Sequence, residues 1–153
     1  MTDRGPSPEW WNAQLPPERR AIGIVQQAIG QIDGLVDYVT GRQPIEPRAV
    51  EIACIESFMV NVRLVADFLI KGREPKDLRA VDLVPGWKVD TEAGKRLGEW
   101  WDLASKHVMH LSKKRIPEDI GTIQPLTEAE QRQMAADCRE VYESFLAQYS
   151  AVH

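Results

Sequence analysis

The chain has 153 residues, the length of one domain, of which 43% are hydrophobic and 27% charged, as in ordinary globular proteins. Its formal net charge of −4 argues against non-specific binding to nucleic acid, which needs a basic surface. No stretch approaches the roughly 20 apolar residues of a membrane span, and no apolar run follows Met1, so we expect a cytoplasmic protein without a signal peptide.

The N-terminal residues 1–15 are predicted to form an extended segment in front of a single domain at 16–150. The adjacent pair Trp10 and Trp11 lies in this segment. Two neighbouring tryptophans are poorly solvated in an open tail, so we expect the segment to dock on the domain.

The first helix is predicted to begin near Pro16 and Pro17, because proline is tolerated in a first helical turn, and to stop at Gly41. Its apolar residues recur at spacings of three and four, which is typical of a helix with one buried face. These residues are Ile22, Val25, Ile29, Ile32, Val36 and Val39.

The second helix is predicted between Pro47 and Gly72, and it is apolar on nearly every side. Such a helix is typically central and surrounded by neighbours, where charges are costly unless paired. Its charged residues Glu56, Arg63 and Asp67 fall on one stripe of the helix.

Two interpretations of this stripe remain open. Arg63 and Asp67 are four residues apart, a good spacing for an ion pair, whereas Glu56 lies two turns from Arg63. The stripe is either a structural ion-pair network that fixes the helix register or the charged floor of a ligand pocket.

A long connection is predicted at 72–89, and its apolar residues indicate that it packs as a unit. The third helix is predicted from about Thr91 to Lys113, and the fourth opens on a capping box between Thr127 and Glu130. The predicted fold class is therefore all-α, an up-down four-helix bundle.

Cysteine and histidine give no metal-binding pattern. Cys54 and Cys138 lie among apolar residues in predicted helices and are interpreted as free thiols. His107 and His110 share one face of the third helix, but no further ligand stands at metal-binding spacing, so no metal is predicted.

The end of the third helix is basic. Lys106 and Lys114 flank His110 by one turn each and would favour its neutral form, which can act as a general base; alternatively, His110 satisfies a buried acceptor. The cations up to Arg115 either contact a phosphate or complement the helix dipole.

Two segments carry a family resemblance. Residues 56–69 read E-S-F-M-V-N-V-R-L-V-A-D-F-L, and residues 105–115 read S-K-H-V-M-H-L-S-K-K-R. Together they resemble an uncharacterised group of small bacterial helical proteins whose bundles look similar to HEPN domains. The resemblance implies a HEPN-like bundle and a homodimer. In HEPN ribonucleases an arginine followed by a histidine cleaves RNA at the dimer interface. Here His110 matches the histidine, Lys106 is the nearest preceding cation, and Arg115 follows.

Three functional hypotheses follow, and whether the chain is an enzyme stays open. The first is a non-enzymatic helical binding module of unknown ligand, with a second copy or another protein as partner. The second is a metal-independent ribonuclease that uses His110, with Lys106, Arg63 or Arg115 contacting the phosphate, although the net charge does not favour RNA. The third is a small-molecule pocket lined by Trp100, Trp101, Glu56 and Arg63. No cofactor motif is present, so no cofactor is predicted.

Overall fold

The structure is a computed structural model that describes residues 15–41, 47–72, 74, 76–106 and 126–153. Within these ranges all regular secondary structure is helical, which confirms the all-α class. The elements are α1 (Pro17–Val39), α2 (Arg48–Ala66), a π-helical turn (Asp67–Lys71), α3 (Ala80–Leu83), α4 (Glu92–Ala104) and α5 (Glu128–Val152). None of the helices in this part of the chain is both long and apolar enough to cross a membrane.

The predicted helix starts are confirmed at three places. Pro17 occupies the first turn of α1. Thr91 caps α4, where its hydroxyl accepts a hydrogen bond from the Gly94 amide. Thr127 and Glu130 form the capping box of α5 in both directions.

Helix α1 buries the predicted apolar stripe against α2. Val25, Ile29 and Ile32 are buried, and Ile22 and Val36 pack partly against them. Spacing alone was therefore sufficient to identify the inward face of this helix.

Helix α2 contacts α1, α4 and α5, so its central place among the described helices is confirmed. It is not surrounded, however, because Val50, Ile52 and Val60 each expose between 40% and 45% of their surface. The uniform apolar composition thus conceals a buried face and an exposed apolar face.

The connection between the π turn and α4 packs as a unit, as predicted. The buried Trp87 donates its indole N–H to the Leu69 carbonyl oxygen at 2.8 Å, which joins the connection to the π turn. The rings of Trp87 and Phe68 meet Phe145 of α5 edge to face, with centroids 5.5 and 5.1 Å away. This aromatic cluster unites the connection, the π turn and α5 in one core.

Both cysteines are free thiols, as predicted, but only Cys138 is buried and Cys54 is half-buried. Burial raises the pKa of the Cys138 thiol, and the neighbouring Asp137 carboxylate adds to this rise. The Cys138 thiol is therefore protonated and behaves as an apolar core group.

The Asp137 carboxylate is the most completely buried charge among the described residues, with 1% of its side chain exposed. Arg96 of α4 donates a hydrogen bond to each oxygen in a bidentate pair, with Nε–Oδ2 and Nη2–Oδ1 distances of 3.0 and 2.8 Å. Trp100 of α4 donates its indole N–H to Oδ2 at 2.8 Å, and Gln133 donates to Oδ1 at 2.9 Å. The three hydrogen bonds from Arg96 and Trp100 hold α4 against α5, and the fourth, from Gln133, lies within α5.

Burial alone would raise the pKa of Asp137. The hydrogen bonds from Arg96, Trp100 and Gln133 outweigh that effect and hold its pKa below the ordinary aspartate value. The buried group is therefore a carboxylate at neutral pH, and its negative charge is fully hydrogen-bonded.

We expect Asp137→Ala to lower the free energy of unfolding by about 2 to 4 kcal/mol, because Trp100 and Arg96 then lose a buried acceptor. Urea unfolding followed by circular dichroism measures this loss. The matched control is Asp37→Ala, which removes another aspartate–arginine pair, with Arg132 of α5, whose aspartate is 78% exposed. The control should change stability too little to resolve, and equal losses in both variants would contradict the role of Asp137.

The stabilisation by Asp137 should also depend on pH. Because the folded-state pKa is lowered, the contribution is complete above the unfolded-state pKa of about 3.9 and is lost as the pH falls towards the folded-state pKa. The difference in urea midpoint between wild type and Asp137→Asn should therefore shrink as the pH falls below about 4. A difference that stays constant down to the acid limit would show that the carboxylate charge contributes nothing.

Candidate functional site

The π-helical turn at the end of α2 positions the polar residues of the candidate site. The Gly72 amide bonds to the Asp67 carbonyl at 2.7 Å, five residues back, which closes the wider turn. A side chain at Gly72 would lie 2.7 Å from Arg79 Cγ and 2.9 Å from that same carbonyl, so the close approach requires glycine. Single π turns within α-helices are frequent at functional sites.

Asp67 is the centre of the site. Its Oδ1 accepts a hydrogen bond from the indole N–H of Trp101 on α4 at 2.5 Å. Its Oδ2 lies 3.7 Å from Nε of Arg63, which is an ion pair but too long for a hydrogen bond. Arg63 Nε is buried and has no hydrogen-bond partner among the described residues.

Two cations lie over the Trp101 ring. Arg63 Cζ is 5.7 Å and Lys71 Nζ is 5.5 Å from the ring centroid, both within cation–π range. Lys71 reaches the ring by crossing Gly98 of α4, where an added Cβ would lie 3.4 Å from Lys71 Cε. Two positive charges therefore lie over the neutral ring, whereas Asp67 supplies one negative charge beside it.

These residues line an open cleft of about 560 Å³, which we call the Trp101 cleft. Its lining consists of Arg63, Asp67, Lys71, Glu74, Asp77, Trp101 and Asp102. The last three carboxylates, those of Glu74, Asp77 and Asp102, lie on exposed residues and form an acidic rim around the basic and aromatic floor. Clefts of this size are typical of small-molecule sites.

A second depression, which we call the apolar groove, adjoins the Trp101 cleft. Its volume is about 340 Å³, and it shares Asp67 and Asp77 with the cleft. Its apolar wall comes from α1, α2, the π turn and the connection: Ala21, Ile24, Val25, Leu64, Phe68 and Leu78. Asp67 therefore stands at the boundary between a polar and an apolar surface.

The structure brings together three of the residues singled out in the sequence: Arg63, Asp67 and Trp101. Trp100 lies apart, hydrogen-bonded to the buried Asp137. Glu56 is exposed and makes no ion pair or hydrogen bond with the described residues, so the stripe forms a pair rather than a triad.

The predicted catalytic residues are not placed by the structure. His107, His110 and Arg115 lie outside the described residues, and Lys106 is exposed two residues beyond the end of α4. In the described ranges no group of three histidine, cysteine or acidic side chains could hold a metal ion.

Sequence reasoning missed Lys71 and the rim carboxylates. Lys71 follows Asp67 by four residues and so continues the charged stripe, a signal that was present in the spacing. Glu74 and Asp77 lie in the connection, where helical periodicity carries no information about direction. Their place on the rim follows from the packing of the connection against the π turn.

Comparison with known proteins finds no family model, no curated protein and no solved structure that matches the chain. The resemblance to HEPN-like proteins therefore stays a prediction. The site must be interpreted from its own chemistry.

The separation of the two tryptophans can be tested by nuclear magnetic resonance. In Asp67→Asn the Trp101 indole proton should move upfield, because it loses a short charge-assisted hydrogen bond, while the Trp100 proton stays in place. Asp137→Asn should produce the reverse pattern. Trp101→Phe and Trp100→Phe assign the two signals, and a shift of both protons in either asparagine variant would contradict the described geometry.

Proposed function

We propose that the chain is a binding module for a small molecule and that the Trp101 cleft is its ligand site. The observation that carries the proposal is the convergence of Arg63, Asp67 and Lys71 on one indole ring in an open cleft of about 560 Å³. A few charged groups placed around an aromatic surface are what orients a small ligand in a pocket.

A purely structural interpretation of this cluster explains less. A stabilising ion pair closes to hydrogen-bond distance, yet Arg63 Nε stands 3.7 Å from Asp67 Oδ2 and is left without an acceptor. The Asp137 cluster shows what a complete network in this protein looks like, because each carboxylate oxygen there receives two hydrogen bonds. Asp67 Oδ2, which receives no hydrogen bond from the described residues and belongs to a side chain that is 42% exposed, is available to a ligand.

Three further predictions from the sequence, on the type of helical bundle, the oligomeric state and the location, belong with this proposal. An up-down, HEPN-like four-helix bundle, a homodimer and a cytoplasmic location are consistent with the helical fold and stay predictions. The ribonuclease alternative depends on His110, which lies outside the described residues, with Lys106, Arg63 or Arg115 contacting the phosphate, and it stays a prediction.

A thermal-shift screen tests the proposal. The panel contains amino acids, organic acids, amines and nucleotides, and a ligand at ten times its Kd should stabilise the protein by about 1.4 kcal/mol, raising Tm by roughly 3 to 6 °C. Arg63→Gln should abolish the rise, because it removes one charge from the cleft floor. The matched control Arg132→Gln removes an arginine on the exposed surface of α5 and should retain the rise.

Two results would contradict the proposal. One is a panel in which no compound raises Tm. The other is a rise that persists unchanged in Arg63→Gln, which would locate binding elsewhere. The Tm of each variant without ligand is measured first, so that a loss of folding is not taken for a loss of binding.

A further inference from the structure

Asp67 has one oxygen engaged and one open. Oδ1 is held by the Trp101 indole, whereas Oδ2 receives no hydrogen bond from the described residues, and the side chain is 42% exposed. An open carboxylate oxygen on the wall of a cleft is a strong acceptor for an ammonium group. This gives the site a negative pole.

The positive pole lies directly beside it. Arg63 and Lys71 both lie over the Trp101 ring and line the cleft. The Arg63 side chain is 23% exposed, and its buried Nε is 3.7 Å from the open Oδ2. The two poles are therefore close enough to engage ammonium and carboxylate groups attached to the same carbon atom. A guanidinium group is the side chain best suited to bind a carboxylate.

The apolar groove begins at the same aspartate. Asp67 lines both surfaces, so a ligand whose charged groups meet Asp67 and Arg63 can extend an apolar substituent towards Ile24, Leu64 and Leu78. Ile24 and Leu78 are exposed in the structure, and an aliphatic substituent would remove apolar surface from water on both sides.

From this juxtaposition we infer that the ligand is a free α-amino acid with a branched aliphatic side chain. The inference rests on the proposed function and deepens it by naming the ligand class. The ammonium binds Asp67, the carboxylate binds Arg63 and Lys71, and the side chain occupies the apolar groove.

The mixed charges of the site discriminate against singly charged compounds. A simple anion is repelled by the rim carboxylates of Glu74, Asp77 and Asp102, and a simple cation is repelled by Arg63 and Lys71. A zwitterion with the correct orientation is attracted at both ends. The same arrangement excludes peptides with a blocked or distant carboxylate, since the two poles are adjacent.

Isothermal titration calorimetry with four probes tests the inference. L-Leucine carries all three groups, L-leucinamide lacks the carboxylate, 4-methylpentanoate lacks the ammonium, and glycine lacks the side chain. We expect leucine to bind and each of the other probes to bind at least roughly tenfold more weakly, since each lacks one charge-assisted contact or the buried apolar group.

Variants assign each group to its partner. Asp67→Asn should lower the affinity for leucine by roughly tenfold, because Asp67 contacts only the ammonium. The affinity for 4-methylpentanoate, which has no ammonium, should not fall. Leu78→Ala should lower the affinity for leucine severalfold and leave the affinity for glycine unchanged. Val152→Ala, an exposed apolar residue at the end of α5, is the matched control and should leave both unchanged.

The outcomes separate the ligand class from the proposed function. If 4-methylpentanoate or leucinamide binds as tightly as leucine, or if leucine fails while another panel compound raises Tm in an Arg63-dependent manner, the ligand class is overturned and the binding function stands. If no compound binds, both are overturned. An affinity for leucine that is unchanged in both Asp67→Asn and Leu78→Ala also overturns the inference.

Discussion

The buried carboxylate of Asp137 is the interaction on which the arrangement of the site depends. It draws Arg96 and Trp100 of α4 onto α5 through hydrogen bonds that leave neither oxygen unpaired. Adjacent residues of a helix point roughly 100° apart, so fixing Trp100 towards α5 turns Trp101 away from it and towards α2. The position of the Trp101 indole over Asp67 is thus set from the opposite side of α4.

The π turn supplies the second constraint. Helix α2 would continue as an α-helix if only its sequence mattered, since the residues from Asp67 to Lys71 contain no helix breaker. The wider turn is stabilised from outside, by Trp87 bonding the Leu69 carbonyl and by Gly72 allowing Arg79 to approach. The connection therefore shapes the end of α2 and forms the rim of the cleft, so that packing and site geometry have one cause.

The sequence predicted the features that follow from local periodicity and capping. The inward face of α1, the capping box at Thr127 and the Arg63–Asp67 pair all follow from spacing within one helix. Asp137 carried a signal that was overlooked, since it stands between Met134 and Val141 on the apolar stripe of α5. The pocket hypothesis that joined Trp100 with Trp101 neglected the angle between neighbouring residues. The π turn had no sequence signal, because tertiary contacts create it.

The two aspartate clusters differ in a way that bears on their roles. A buried polar network is worth keeping for stability only when every member is satisfied, since an unpaired buried donor costs free energy. The Asp137 cluster meets that condition. The Asp67 cluster does not, because in the part of the chain that the structure describes Arg63 Nε has no acceptor and Asp67 Oδ2 has no donor. Local violations of this kind are expected where a protein exchanges stability for function. The incompletely satisfied cluster lines an open cleft, whereas the Asp137 carboxylate is buried. This contrast is the reason for proposing a structural role for Asp137 and a binding role for Asp67.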